Sequence, residues 1–189
     1  MGVAVGRRTT VAAVAVLTGV VLVGSGCDAT TDGSAAPLTT GEAATAEALW
    51  DPCKQIGDDV LRQVGVDPST QDNTISGVEK VEGWKLCSWK DKAVRENYAL
   101  GVWATTHTIE ESKKDTNNVD FSDITVAGRP GVQFRRASDT RNEKCYLSFP
   151  ASGQSIEISI YKSVLTEDER SPCDIAESAA EILVPEFPQ

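Results

Sequence analysis

The sequence predicts an α+β domain: an antiparallel sheet of about five to six strands, with N- and C-terminal helices packed on one face and two disulfides. Three observations point there. Segments of helical spacing open and close the region 50–189, "WDPCKQIGDDVLRQVGV" and "SPCDIAESAAEILVPE". Between them apolar residues recur mostly at every second position, in runs parted by short turns, and strands so joined are antiparallel. Four cysteines, Cys53, Cys87, Cys145 and Cys173, are spread over this region.

The first helix starts with Asp51 as N-cap and Pro52 at the first helical position. Ile56, Val60, Leu61 and Val64 form its apolar face, and Gly65 stops it. Trp84 to Lys90 reads as a strand, with Trp84 and Leu86 on one face and Cys87 and Trp89 on the other. Tyr98, Leu100, Val102 and Ala104 alternate in the next. Thr108 with Glu111 fits a capping box for a short helix, Ile109–Asp115, that has little apolar surface. "GRPG", 128–131, reads as a turn between strands Ile124–Ala127 and Val132–Arg136. Cys145, Leu147 and Phe149 alternate, Pro150 to Gly153 turns the chain, and Ile156, Ile158 and Ile160 alternate with Ser155, Glu157 and Ser159. The last helix has Ser171 as cap and Pro172 at its first position. Its face is Ile175, Ala179, Ile182 and Leu183, and Pro185 ends it. Both end helices place a cysteine in the first turn, where a disulfide pins a helix start to another element.

The N-terminus reads as an export signal. Arg7 and Arg8 precede an apolar run, Val11 to Val23. That is the length of a signal core and short of the roughly 20 residues of a membrane span. Gly24, Ser25 and Gly26 then lead into Cys27, and this end resembles a lipoprotein lipobox. The resemblance implies a diacylglyceryl thioether on Cys27 and cleavage before it. The chain divides accordingly: 1–26 is a signal peptide, 27–49 a lipidated cysteine and flexible tether, and 50–189 a single globular domain. Residues 28–48 are rich in Ala, Thr, Ser, Gly and Asp and have little to bury. The expected location is the extracytoplasmic face of the cell membrane, held there by acyl chains. With Cys27 set apart, an even four cysteines remain in an oxidising compartment. Four cysteines allow three pairings, among which spacing does not choose.

Composition narrows the partners. The net charge is −10, and removal of Arg7 and Arg8 with the signal takes it to −12. So acidic a chain opposes nucleic acid and has no general attraction for anionic lipid, so the lipid on Cys27 must supply the membrane contact. No C-x-x-C occurs and His107 is the only histidine, so neither a metal nor another cofactor is expected. "DTNNVDFSD", 115–123, lacks the glycine and closing Glu of a calcium loop. No G-x-S-x-G accompanies His107, and no catalytic residue is assigned. Arg129, Arg135, Arg136, Arg141 and Lys144 form a local excess of positive charge. It suits strand edges or, alternatively, a carboxylate or phosphate. Trp84, Trp89, Tyr98 and Trp103 fall in the first two long strands. Trp84 and Trp89 are an odd number of positions apart and face opposite ways in a regular strand, so one of them can line a groove. Trp84, Trp89 and Trp103 are the candidate ligand or partner surface.

Asp51-Pro52-Cys53 opening a helix, Cys87-Ser88-Trp89, and a late Pro172-Cys173 helix, all behind a lipobox, resemble the actinobacterial lipoprotein family catalogued as domain of unknown function 3558. The resemblance runs from Trp50 to about Pro188. It implies an actinobacterial envelope lipoprotein and brings no activity and no catalytic residues. It also supports disulfides in chain order, Cys53–Cys87 and Cys145–Cys173. Two other pairings stay open on sequence alone: a crossed one, Cys53–Cys145 with Cys87–Cys173, and a nested one joining Cys53 to Cys173. The functional expectation is a non-enzymatic binding or interaction module for an envelope lipid or a protein. The alternatives are an envelope hydrolase using carboxylates and a structural part of an envelope assembly.

Overall fold

A computed structural model describes residues 49–93 and 95–189; the expected signal peptide, Cys27 and nearly all of the tether lie outside the described residues. Seven strands form one antiparallel sheet: β1 Val66–Asp72, β2 Trp84–Asp91, β3 Tyr98–Thr105, β4 Asn118–Val126, β5 Arg129–Arg136, β6 Lys144–Ala151 and β7 Gln154–Lys162. Their order is β1-β2-β3-β7-β6-β5-β4. The count exceeds the expected five to six because of β1, "VDPSTQD". It has one buried apolar residue, Val66, and a proline, so no alternation marks it. It is an edge strand with an irregular register against β2, and a sheet edge is where proline is tolerated. At the other edge β4 takes in most of 115–123, the stretch weighed as a calcium loop. The hairpin turn after β4 is Ala127-Gly128, both with positive φ (48° and 79°), and not "GRPG".

The N-terminal helix is broken in two, α1 Pro52–Gln55 and α2 Asp58–Val64. Ile56 and Gly57 between them are extended. Asp51 does not cap through its side chain; its carboxylate instead pairs with Lys54 Nζ at 2.9 Å. The break puts Ile56 in the core, at 5% exposure, while the restarted helix pairs Arg62 with Asp58 and Asp59. Gly65 ends α2 with φ 99°, a left-handed closure that costs glycine least. The next helix, α3 (Ile109–Lys114), has the full Thr108/Glu111 capping box, and α4 (Pro172–Leu183) has one built from Ser171 and Asp174. A 3-10 turn at Val184–Glu186 holds Pro185.

Two disulfides join the chain in sequence order, Cys53–Cys87 and Cys145–Cys173, each with Cα atoms 5.1 Å apart. Each ties the first turn of a helix, α1 or α4, to a strand, β2 or β6. With separations of 34 and 28 residues, each restricts the unfolded chain by about 4 kcal/mol in the chain-entropy account.

Residues alternate across a strand, and two apolar clusters result. The larger joins Leu61 of α2 and Ile175, Ala179 and Leu183 of α4 to Trp89, Leu100, Val102, Leu147, Phe149, Ile156, Ile158 and Ile160. The smaller, on alternate strand positions, is Val132, Phe134 and Tyr146, with Ile109, Phe121 and Tyr161 against them. β7 lies between β3 and β6 at the centre of the sheet. The chain leaves β3, forms α3, reaches the far edge at β4, and returns by short connections through β5 and β6. On this route α3 packs against β4 and β6. Among the described residues no helix is long and apolar enough to cross a membrane.

Candidate functional site

The second face of β7 carries Ser155, Glu157, Ser159 and Tyr161. Its alternation resembles that of a half-solvated strand, yet Ser155, Glu157 and Ser159 are 4%, 3% and 0% exposed. Neighbouring strands on both sides and residues folded over this face remove them from water. Opposite Glu157 stand Trp103 of β3 and Ser148 of β6. The Ser148 hydroxyl is buried without a hydrogen-bond partner.

Glu157 is the floor of a groove. One part, of about 160 Å³, is walled by Trp84, Trp103, Tyr146, Tyr161, Ile75 and Val81, with Arg136 at its side. An adjoining part, of about 260 Å³, shares Trp84, Arg136 and Glu157 and adds His107, Glu111, Ser112, Asp115 and Asn118. The rings are held in place. Trp84 meets Trp103 edge to face at 6.0 Å and lies 5.5 Å from the His107 ring. Trp103 Nε1 donates to Ser159 Oγ at 2.8 Å. The indole lies over Gly101, where a Cβ would come within 2.6 Å of Ser159 Oγ and 2.9 Å of Trp103 Nε1. Phe121, Phe134 and Tyr146 stack in sequence at 5.2 Å spacing, and Tyr146 and Tyr161 share a 2.7 Å hydrogen bond between hydroxyls. Burial, with the Tyr146 hydroxyl beside it, pushes the Tyr161 phenol well above its usual range.

The two charges at the floor differ in their partners. The Arg136 guanidinium sits over the rings of Tyr146 and Phe134, at 5.1 and 5.9 Å. It donates to Asn118 Oδ1 at 2.6 Å and lies 3.6 Å from Asp115. Glu157 accepts no hydrogen bond from the described residues. Burial pushes its carboxyl up to about 7, and the Arg136 charge offsets only part of that rise. An ionised carboxylate with so little to offset its burial is costly in such a site.

Of the sequence candidates, Trp84 and Trp103 come together at the groove. Trp89 does not: it is 1% exposed in the larger core. His107, half-exposed, lies at the mouth with Nδ1 3.6 Å from Glu111. The basic residues are each engaged. Arg129 donates to the carbonyls of Phe187 and Pro188, Arg135 pairs with Asp139, Arg141 with Glu143, and Lys144 Nζ sits 5.0 Å above the Tyr161 ring. Cys53, Cys87, Cys145 and Cys173 are all in disulfides, so none is a nucleophile or metal ligand. No cluster of metal-ligating side chains occurs among the described residues. Glu157, Tyr146 and Tyr161 are the residues that sequence reasoning missed, and it reached Arg136 only as one of a basic cluster. A glutamate flanked on its face only by serines, within an isoleucine strand, was the available signal.

Fold and site together define a disulfide-stapled α+β domain with an aromatic groove on its sheet, closed at the bottom by a buried carboxyl. The chain belongs to the family described as protein of unknown function (DUF3558), whose model matches residues 22–186. No curated protein and no solved structure matches it.

Proposed function

We propose that this chain is an envelope lipoprotein of the actinobacterial type whose domain binds a ligand and catalyses no reaction. In this reading acyl chains on Cys27 hold it at the extracytoplasmic face of the membrane, and residues 28–48 let the domain, which begins at the buried Leu49, stand off. The terminal helices share one face of the sheet with the larger core, which leaves the opposite face for binding. One observation carries the binding role: four aromatic rings, Trp84, Trp103, Tyr146 and Tyr161, wall a groove over a buried carboxyl that accepts no hydrogen bond from the described residues. A pocket mostly apolar, with a few polar groups placed in it, is how small-molecule sites are built. Support for the lipid anchor comes from the run Val11–Val23 and the small residues before Cys27.

The test is native mass spectrometry on full-length protein extracted from its own membrane. A bound species of defined mass is expected with the wild type and is expected to be lost with Trp84→Ala. Retention of the species by Trp84→Ala, or no bound species at all, overturns the groove as the binding site.

A further inference from the structure

The groove's chemistry selects among ligands, and the inference that follows rests on the reading of the groove as a binding site. In the inner part Glu157 faces the guanidinium of Arg136, and Glu111 and Asp115 line only the adjoining part. That guanidinium is already committed to Asn118, Asp115 and two ring faces. The walls are ring faces, which carry negative potential and attract cations. Two of the protein's own cations already use this surface: Arg136 lies over Tyr146 and Lys144 over Tyr161. Glu157 as a residue is 3% exposed. The inner part, about 160 Å³, is close to the roughly 150 Å³ of an apolar cavity that takes benzene, so it suits a head of similar size.

We propose that the inner groove binds a small organic cation, an alkylammonium or quaternary ammonium head, seated among Trp84, Trp103, Tyr146 and Tyr161 and ion-paired to Glu157. An anionic ligand would meet Glu157 at the floor, beside an Arg136 already engaged by Asn118 and Asp115. A neutral ligand would leave the buried carboxyl with only that shared Arg136 charge near it. The groups that face Glu157 or the groove around it are Arg136 of β5, Tyr146 and Lys144 of β6, Tyr161 of β7, and His107, Glu111 and Asp115 in and beside α3. A cation needs Glu157 ionised, and that carboxyl titrates near 7. Binding therefore strengthens as pH rises, by about tenfold from pH 6 to pH 8, which is the change in the ionised fraction of such a group.

The test is a tryptophan-fluorescence titration of the full-length protein in nonionic detergent, with choline and with its uncharged isostere 3,3-dimethylbutan-1-ol. Saturable binding of choline is expected, with the alcohol weaker on the order of tenfold, the worth of a desolvated cation against rings. Glu157→Gln, which keeps the side-chain shape, is expected to weaken choline binding by a similar factor and to abolish its pH dependence. His107→Gln is expected to leave that dependence in place, which assigns it to Glu157 and not to the imidazole at the mouth. Equal affinity for choline and the alcohol overturns the proposal, as does choline binding that Glu157→Gln leaves unchanged. So does absence of saturable choline binding. If choline fails while an uncharged species co-purifies and depends on Trp84, the cation is refuted and the binding groove stands. If both fail, the groove reading falls with it.

Discussion

Replacing Glu157 with Gln tests the buried carboxyl through stability, independently of any ligand. In the native protein this group is 3% exposed and accepts no hydrogen bond from the described residues, and its titration rises from an ordinary 4.5 to about 7. Between those values the native state holds a proton that the unfolded chain has released. The stability contributed by this one group is therefore fully present below about 4.5, is lost as pH rises through that window, and levels off above 7. At about 1.4 kcal/mol per pH unit, the whole loss is about 3 kcal/mol. Most of it falls between pH 5 and pH 8. Gln cannot ionise, and any cost of burying its amide is the same at both pH values. The expected result is that Glu157→Gln gains about 2–3 kcal/mol relative to wild type on going from pH 5 to pH 8. Urea unfolding of the oxidised proteins, followed by tryptophan fluorescence at both pH values, measures it. Wild type and variant changing in parallel, to within about 0.5 kcal/mol, would refute the reasoning.

Three other perturbations bear on separate parts of the chain. Cys27→Ser is expected to move the protein from the membrane to the soluble fraction, because acylation supplies the attachment; a variant still bound after a salt wash would refute the anchor. Gly101→Ala puts a Cβ 2.6 Å from Ser159 Oγ and 2.9 Å from Trp103 Nε1. It should displace that hydrogen-bonded pair at a cost of about 1–3 kcal/mol, and an unchanged unfolding midpoint would show that the indole does not lie there. Asp139→Ala removes a carboxylate that accepts from Arg135 and from the backbone N–H groups of Glu143 and Lys144, with a side chain 2% exposed. A loss of about 2–3 kcal/mol is expected in urea unfolding, and a loss below about 0.5 kcal/mol would mean that water replaces it.

Much of the architecture was legible because local physics repeats along the chain. Thr108 with Glu111, and Ser171 with Pro172, mark helix starts through backbone N–H groups that need acceptors nearby. Alternation over 98–104 and 145–160 marks strands because each residue of one face meets the same core. β1 was not legible: an edge strand with one buried residue owes its structure to pairing with β2, and such pairing leaves no period in the sequence. Nor was the break at Ile56-Gly57, since helical spacing on either side of it is the same. Trp84 and Trp89 could be assigned to opposite faces by counting. Which face was the larger core depended on where α2 and α4 packed, and that placed Trp89 inside and Trp84 at the groove.

By itself, then, the sequence determined the α+β class, the starts of α1, α3 and α4, the parity of the strands and the even set of cysteines, all properties of neighbours in the chain. The disulfide partners were decided in space, by α1 lying on β2 and α4 on β6. So was the site. Glu157, Arg136, Trp84 and Trp103 come from four strands and meet only because β7 returns from the far edge to pair with β3. A serine–glutamate–serine face that reads as solvated becomes a buried floor for the same reason: burial belongs to the neighbours that a strand acquires, and those neighbours are distant in sequence.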